Sequence, residues 1–246
     1  MAHDAAEAER DAHGFRRRGF EVTRLMAFVD AAFAFAVTML VISLDAVPND
    51  TESLKQALKS IPAFAASFAL LAQIWWIHTR YTWRFGLEDG PTVRLSMLLV
   101  FLVLVYVYPL KILFSTFFAW LSGGWLPAGF AIQSVDDLRT MFIVYGVAWG
   151  LLGLVMARLY QHAWTLRESL SLDEGERVAV RQLIVSYLFF PALGLLSALV
   201  ALALPDRPSE WMLALPGFVY FLMFLQWPVL SLVRRRMQEG SGMTKA

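Results

Sequence analysis

Six apolar runs, each long enough to cross a lipid bilayer, constrain this chain more than any other feature. They are Val22–Leu44, Ile61–Phe85, Val93–Leu121, Leu138–Tyr160, Val178–Leu204 and Trp211–Val233. A hydrocarbon core about 30 Å thick takes roughly 20 helical residues to span. Backbone N–H and C=O groups find no water there, so each run must satisfy them internally, as a helix does. The sequence therefore predicts an all-α integral membrane protein with six transmembrane helices. Composition agrees, since 58% of the residues are hydrophobic and 17% charged, against about 45–50% and about 25% in a soluble domain.

The connectors are short and hold the turn residues: Pro48-Asn49-Asp50, Glu88-Asp89-Gly90-Pro91, Ser122-Gly123-Gly124, Asp173-Glu174-Gly175 and Pro205-Asp206-Arg207-Pro208. Residues Glu52–Ser60 are expected to form a short interfacial helix. With no internal repeat and no low-complexity tract, one membrane domain is expected over 22–233, flanked by segments 1–21 and 234–246. No A-x-A-like cleavage site follows the first run, so it is read as a retained span.

Positive charge sets the expected orientation. Arg10, Arg16, Arg17, Arg18 and Arg24 precede or open the first span. Arg80, Arg84 and Arg94 flank the second connector, and Arg158, Arg167, Arg177 and Arg181 the fourth. Arg234, Arg235, Arg236 and Lys245 follow the last span. The opposite side holds only Lys55, Lys59, Arg139 and Arg207. Both termini are thus expected in the cytoplasm, which agrees with an even number of spans, with the protein in the cell membrane.

Several function classes fall away. The chain has no cysteine, which removes disulfides, thiolate nucleophiles and cysteine metal sites. A net charge of +1 gives no electrostatic footprint for nucleic acid. An enzyme needs clustered nucleophile, base or metal ligands, and none is visible; no cofactor or resident metal is expected.

An ionisable residue inside a span is costly and is usually paired or functional. Asp30 lies six residues beyond Arg24, roughly 9 Å into the membrane. No basic residue stands three or four positions away to pair with it along the helix. His78, six residues before Arg84 on the antiparallel second span, sits at a similar depth. A hydrogen bond from His78, Trp75 or Trp76 to Asp30 follows from that match, either as a lock between helices or as part of a working site. Lys111 falls about 25 Å beyond Arg94, near the far interface, where a lysine can snorkel. Pro109 suggests a kink in the third span, and Pro191, Pro216 and Pro228 in later ones. His162 reads as interfacial, and His3 and His13 as part of a mobile tail.

The first span has two distinct faces. At 100° per residue, Arg24, Phe28, Ala31, Phe35, Thr38 and Ile42 fall within a stripe about 80° wide, and Asp30 points about 140° away from Phe35. Ala27, Ala31, Ala32, Ala34 and Ala36 keep the helix thin. Small residues let membrane helices approach closely. Such a helix suits the centre of an assembly, or ordinary packing against other spans of its own chain.

The run Arg24-Leu-Met-Ala-Phe28-Val29-Asp30-Ala-Ala-Phe-Ala-Phe-Ala-Val-Thr38 resembles the opening of the transmembrane-protein-175 family of potassium channels. That family carries R-x-x-x-F-S-D on its first span, with a threonine eight residues after the aspartate. Trp75-Trp76-Ile77-His78 resembles the family's W-x-x-H-type cluster, and Pro109 its third-span proline. The likeness is sharp over about 25 residues and diffuse elsewhere.

The resemblance implies a homotetramer in the lipid bilayer, with four first helices around a pore for potassium ions. This is not the common tetrameric potassium-channel fold, and no T-V-G-Y-G-type filter occurs in the sequence. Phe35 would match the narrow hydrophobic ring, Thr38 the polar ring linked to potassium preference, and Ile42 a further apolar ring. Arg24, Phe28, Asp30, Trp76 and His78 would match the network that holds the pore helix. No metal is implied beyond transient potassium. Two departures stand out: Val29 replaces the family's serine, and Phe35 is bulkier than the usual isoleucine or leucine. Asp45 would either concentrate cations at the outer mouth or be a solvated loop carboxylate. The rival classes are a secondary transporter, which usually shows inverted repeats not seen here, and a non-conducting membrane scaffold.

Overall fold

The computed structural model describes residues 10–12, 14–42, 48–130 and 132–226. Among these the chain is helical: α1 (Arg24–Ile42), α2 (Thr51–Lys59), α3 (Ile61–Phe85), α4 (Gly90–Leu121), α5 (Val135–Thr165), α6 (Glu174–Leu202), the short α7 (Glu210–Leu213) and α8 (Leu215–Phe218), then a 3-10 stretch over Val219–Leu225. Five helical stretches are long and apolar enough to cross a membrane: α1, α2 running into α3, α4, α5 and α6. The expected interfacial helix at Glu52–Ser60 is α2.

The polar connectors become helix caps. Asp50, Asp89, Ser134 and Asp173 each stand at an N-cap, their side chains accepting backbone N–H groups that the first turn leaves unpaired. Ser53, Asp137 and Glu176 answer Asp50, Ser134 and Asp173 with reciprocal bonds. At the other end of α3, Gly86 takes φ 60° and its N–H closes onto the Thr82 carbonyl. That left-handed position favours glycine because a Cβ is strained there.

Within the bundle, α1 packs on α3 and α4, α4 on α5, and α5 on α6. The core joins Val29, Phe33 and Leu40 of α1 to Leu71 and Tyr81 of α3, Leu99 and Val107 of α4, and Leu159 of α5. The α5–α6 contact is backbone on backbone. A Cβ on Gly146 would lie 2.4 Å from the Gly194 carbonyl oxygen, and one on Gly194 2.2 Å from that of Gly146. Pro109 and Pro191 lie inside continuous helices, and Gly150 faces Pro191.

One expectation needs adjustment. The sixth run is described only to Gln226, and there it is broken into α7, α8 and a 3-10 stretch. Pro216 marks the α7–α8 break: it lacks an N–H and fits best in a first turn, where α8 places it. The remainder of that run lies outside the described residues, as do Ser43, Leu44, Asp45, Pro228, His3, His13 and the C-terminal arginines. The segment before α1 was weighed from the sequence for its positive charge alone. From Gly14 to Thr23 it forms a strap across the arginine-rich end of the bundle. Phe15 is buried, edge-on to Phe85 at 5.8 Å, with the Arg84 guanidinium 4.4 Å from its ring centre.

Candidate functional site

Helix α1 starts where the Thr23 hydroxyl accepts the Met26 N–H at 3.3 Å. Its long apolar and alanine-rich run has no glycine or proline to interrupt it. The helical period then separates two faces. Leu25, Val29, Phe33, Ala36 and Leu40 are buried against α3 and α4, whereas Arg24, Phe28, Ala31, Phe35, Thr38 and Ile42 are exposed. Phe33 and Phe35 differ by two positions, or about 200° on the wheel, and their exposures are 4% and 58%. The stripe read from the sequence therefore lies on the face of α1 that the rest of the chain leaves uncovered.

Thr38 stands in the middle of that face. Its hydroxyl donates to the Ala34 carbonyl at 3.0 Å, which spends the proton on the helix and leaves the oxygen lone pairs outward. Ile42 is 71% exposed, more than Phe28 or Phe35. Val29 is buried in the core, so its methyl groups occupy dry packing.

Asp30 lies at the edge of the uncovered face. The Trp75 indole Nε1 donates to its Oδ1 at 2.7 Å, so among the donors weighed from sequence it is Trp75 that meets it. His78 instead turns inward, its Nε2 2.9 Å from the Ser96 hydroxyl of α4, with both side chains buried. Trp76 points outward, edge-on to Trp83 at 5.5 Å, with the Arg80 guanidinium 6.0 Å from its ring centre. Asp30 and Trp75 thus tie α1 to α3, and His78 and Ser96 tie α3 to α4. Arg24 and Phe28 lie on the uncovered face, away from both bonds. Sequence reasoning missed Ser96; its only signal was a hydroxyl interrupting the run Leu95-Ser96-Met97. Lys111 is half-buried on α4.

The strap fixes the start of α1. Arg18 and Gly19 N–H groups both donate to the Trp83 carbonyl, at 2.9 and 3.0 Å. The Arg18 guanidinium grips both oxygens of the buried Glu176, at 2.9 and 2.7 Å, and the Arg16 N–H adds a third bond at 2.8 Å. Arg84 reaches Asp11 at 2.7 Å and the Tyr160 hydroxyl at 3.1 Å. Gly19 is required by contact: a Cβ there would lie 2.5 Å from the Thr82 carbonyl oxygen. Nearby, Asp89 caps α4, accepts the Thr92 hydroxyl at 2.6 Å and meets His162 Nε2 at 2.5 Å. Burial pushes the Asp89 carboxyl up, but the bonds from Thr92 and His162 outweigh it and hold the group below the usual aspartate value.

A multi-pass helical bundle whose first helix leaves a polar-edged, alanine-rich stripe uncovered has the form of a membrane transport protein. Comparison with known proteins narrows that class. The family model described as the endosomal/lysosomal potassium channel TMEM175 matches residues 24–109. A potassium channel of Marivirga tractuosa is 32% identical over 214 residues, covering 85% of each chain. Among solved structures, a variant of the potassium channel MtTMEM175 bound to a nanobody–MBP fusion superposes with a TM-score of 0.77 and 30% identity, covering 92% of this chain and 97% of that one. A lysosomal potassium-selective channel TMEM175 homolog from Chamaesiphon minutus shares the fold at TM-score 0.53 and 23% identity, over 84% of this chain and 96% of that one. The chain belongs to the TMEM175 family of potassium channels.

Proposed function

We propose that the protein is a potassium-preferring cation channel of the cell membrane, built as a homotetramer in which α1 of each subunit lines the pore. The observation that carries this reading is the uncovered face of α1. It offers Arg24, Asp30 and Thr38 outward from a helix otherwise apolar enough to span a bilayer. A carboxylate some two turns into the membrane does not face lipid tails; it faces protein or water. Copies of the subunit packed around α1 supply both. The relatives named above are described as potassium channels, which supports potassium as the conducted ion.

In this reading Phe35 and Ile42 form apolar rings that close the bore by expelling water. Thr38 forms the polar ring between them, its lone pairs standing in for part of an ion's hydration shell. Asp30, with Trp75, holds the angle of α1, His78 steadies α3 against α4 through Ser96, and Arg24, Phe28 and Trp76 face the neighbouring copies. The strap and the arginine-rich end lie in the cytoplasm, by the positive-inside rule.

The test is potassium flux into liposomes holding purified protein, wild type beside Phe35→Ala. Flux that rises on trimming the ring supports Phe35 as the gate on a central axis. An absence of flux from both, with the fold intact, returns the protein to the transporter or scaffold classes.

A further inference from the structure

The end of the bundle opposite the strap carries a site that the channel reading does not use. Helix α2 has a complete capping box, yet none of its residues is buried. Leu54 and Leu58 on it stay exposed, as does Ile61 just beyond. Between α2, the start of α3 and the α4–α5 connector lies an open groove of about 400 Å³, lined by Lys55, Leu58, Lys59, Pro62, Trp125 and Leu126. That volume is in the range of small-ligand sites.

The groove's chemistry is asymmetric. Its walls are apolar, and among the described residues its only ionisable lining groups are the two lysines. Four residues apart, they share one side of α2. The Lys59 ammonium lies 5.3 Å from the Trp125 ring centre. Lys55 reaches Glu52 at 3.3 Å, but both side chains are well exposed, and such a pair is weak and readily exchanged. An amphipathic helix beside a spanning helix, with lysines on one edge and an exposed tryptophan opposite, matches the membrane–water boundary. Two cations at the rim of an apolar slot call for a ligand with an anionic head and an apolar body.

We propose that this groove binds one anionic phospholipid. Its phosphodiester lies between Lys55 and Lys59. Its glycerol and upper acyl carbons run along Leu58, Pro62 and Leu126, and Trp125 covers the head. A free phosphate ester satisfies only the lysines, and a neutral phospholipid only the apolar wall and part of the charge.

Native mass spectrometry of the full-length protein in neutral detergent tests this, counting lipid bound per subunit with phosphatidylglycerol or phosphatidylcholine of identical chains. Phosphatidylglycerol is expected to be retained in preference. The double variant Lys55→Gln, Lys59→Gln is expected to weaken that retention about thirtyfold without changing phosphatidylcholine. Each single variant should move the same way, so the reading survives poor expression of the double. Arg207→Gln, outside the groove, should change nothing. Millimolar glycerol 3-phosphate should not displace the lipid. Equal retention of the two lipids, retention indifferent to the lysines, or displacement by the soluble ester overturns the proposal. None of these readouts depends on ion flux.

Discussion

The indole Nε1 of Trp75 donates to Oδ1 of Asp30 across 2.7 Å, joining two antiparallel helices at the edge of the face that α1 leaves open. The bond has an ionisable acceptor inside a membrane span, where an unmet carboxylate is costly. Its loss should be felt as more than an ordinary hydrogen bond.

Trp75→Phe keeps most of the ring's packing and removes only the donor. Hydrogen bonds to charged groups contribute about 1.5–3 kcal/mol, and a destabilisation of that size is expected in thermal unfolding of the detergent-solubilised protein. Adding Asp30→Asn to the same protein should cost less than it does in wild type. An additive pair would mean that the two side chains do not share the bond.

Thr38→Val removes the hydroxyl while keeping the side chain's shape. Under the channel reading, potassium flux should persist while the preference over sodium falls. Paired flux measurements with each ion in the same liposomes would read the ratio. An unchanged ratio would move ion preference away from Thr38.

The strap's ion pair should outweigh exposed pairs on the same protein. Glu176→Ala leaves the Arg18 guanidinium without its carboxylate in a mostly buried site, where breaking one partner costs about 3–5 kcal/mol. Glu52→Ala, which removes the exposed partner of Lys55, should cost about 0–1 kcal/mol. Melting temperatures measured side by side give the comparison, and equal losses would mean that the strap is held by Phe15 rather than by charge.

Acid should loosen the α4 cap in a defined direction. The Asp89 carboxyl is held lower in the folded chain than in the unfolded one, so its contribution is complete at neutral pH. That contribution begins to fail as pH falls past the ordinary aspartate value, and is gone below the depressed one. Asp89→Asn should flatten this part of the stability-versus-pH curve. A variant with the wild-type acid slope would show that another carboxylate carries it.

Between α5 and α6 the expected effect is steric. A methyl at Gly146 meets the Gly194 carbonyl at 2.4 Å, so Gly146→Ala must part the helices, at about 1–3 kcal/mol for an overpacked contact. Gly90→Ala, whose added methyl finds nothing closer than the Arg94 guanidinium at 3.8 Å, should stay within about 0.5 kcal/mol.

Much of this was legible in the sequence because membrane burial leaves strong periodic signals. The helical wheel of the first span separated Phe35 from Asp30, and the exposures of Phe33 and Phe35 follow the same period. Asp30 stood out because nothing on its own helix could neutralise it. What stayed hidden depends on contacts between distant positions. The arginines before α1 were read for topology, yet Arg18 is spoken for by Glu176, 158 positions away. His78 was matched to Asp30 by depth, which says nothing of azimuth; the ring faces α4 and finds Ser96. Gly146 and Gly194 carry no pattern that marks two glycines on different helices as neighbours. Pro216, noted only as a kink, sits just after a break between two short helices in the last described segment.

The strap has a mechanical consequence. Because Arg18 and Gly19 are clamped to the Trp83 carbonyl only a few residues before α1 begins, that helix is a lever with its fulcrum at Arg24. The arm from Arg24 to Ile42 is about 27 Å long. A tilt of about 5° therefore sweeps position 42 through about 2 Å and position 28 through less than a quarter of that. Small rotations at the clamped end are geared up along the helix, and the far end registers them most.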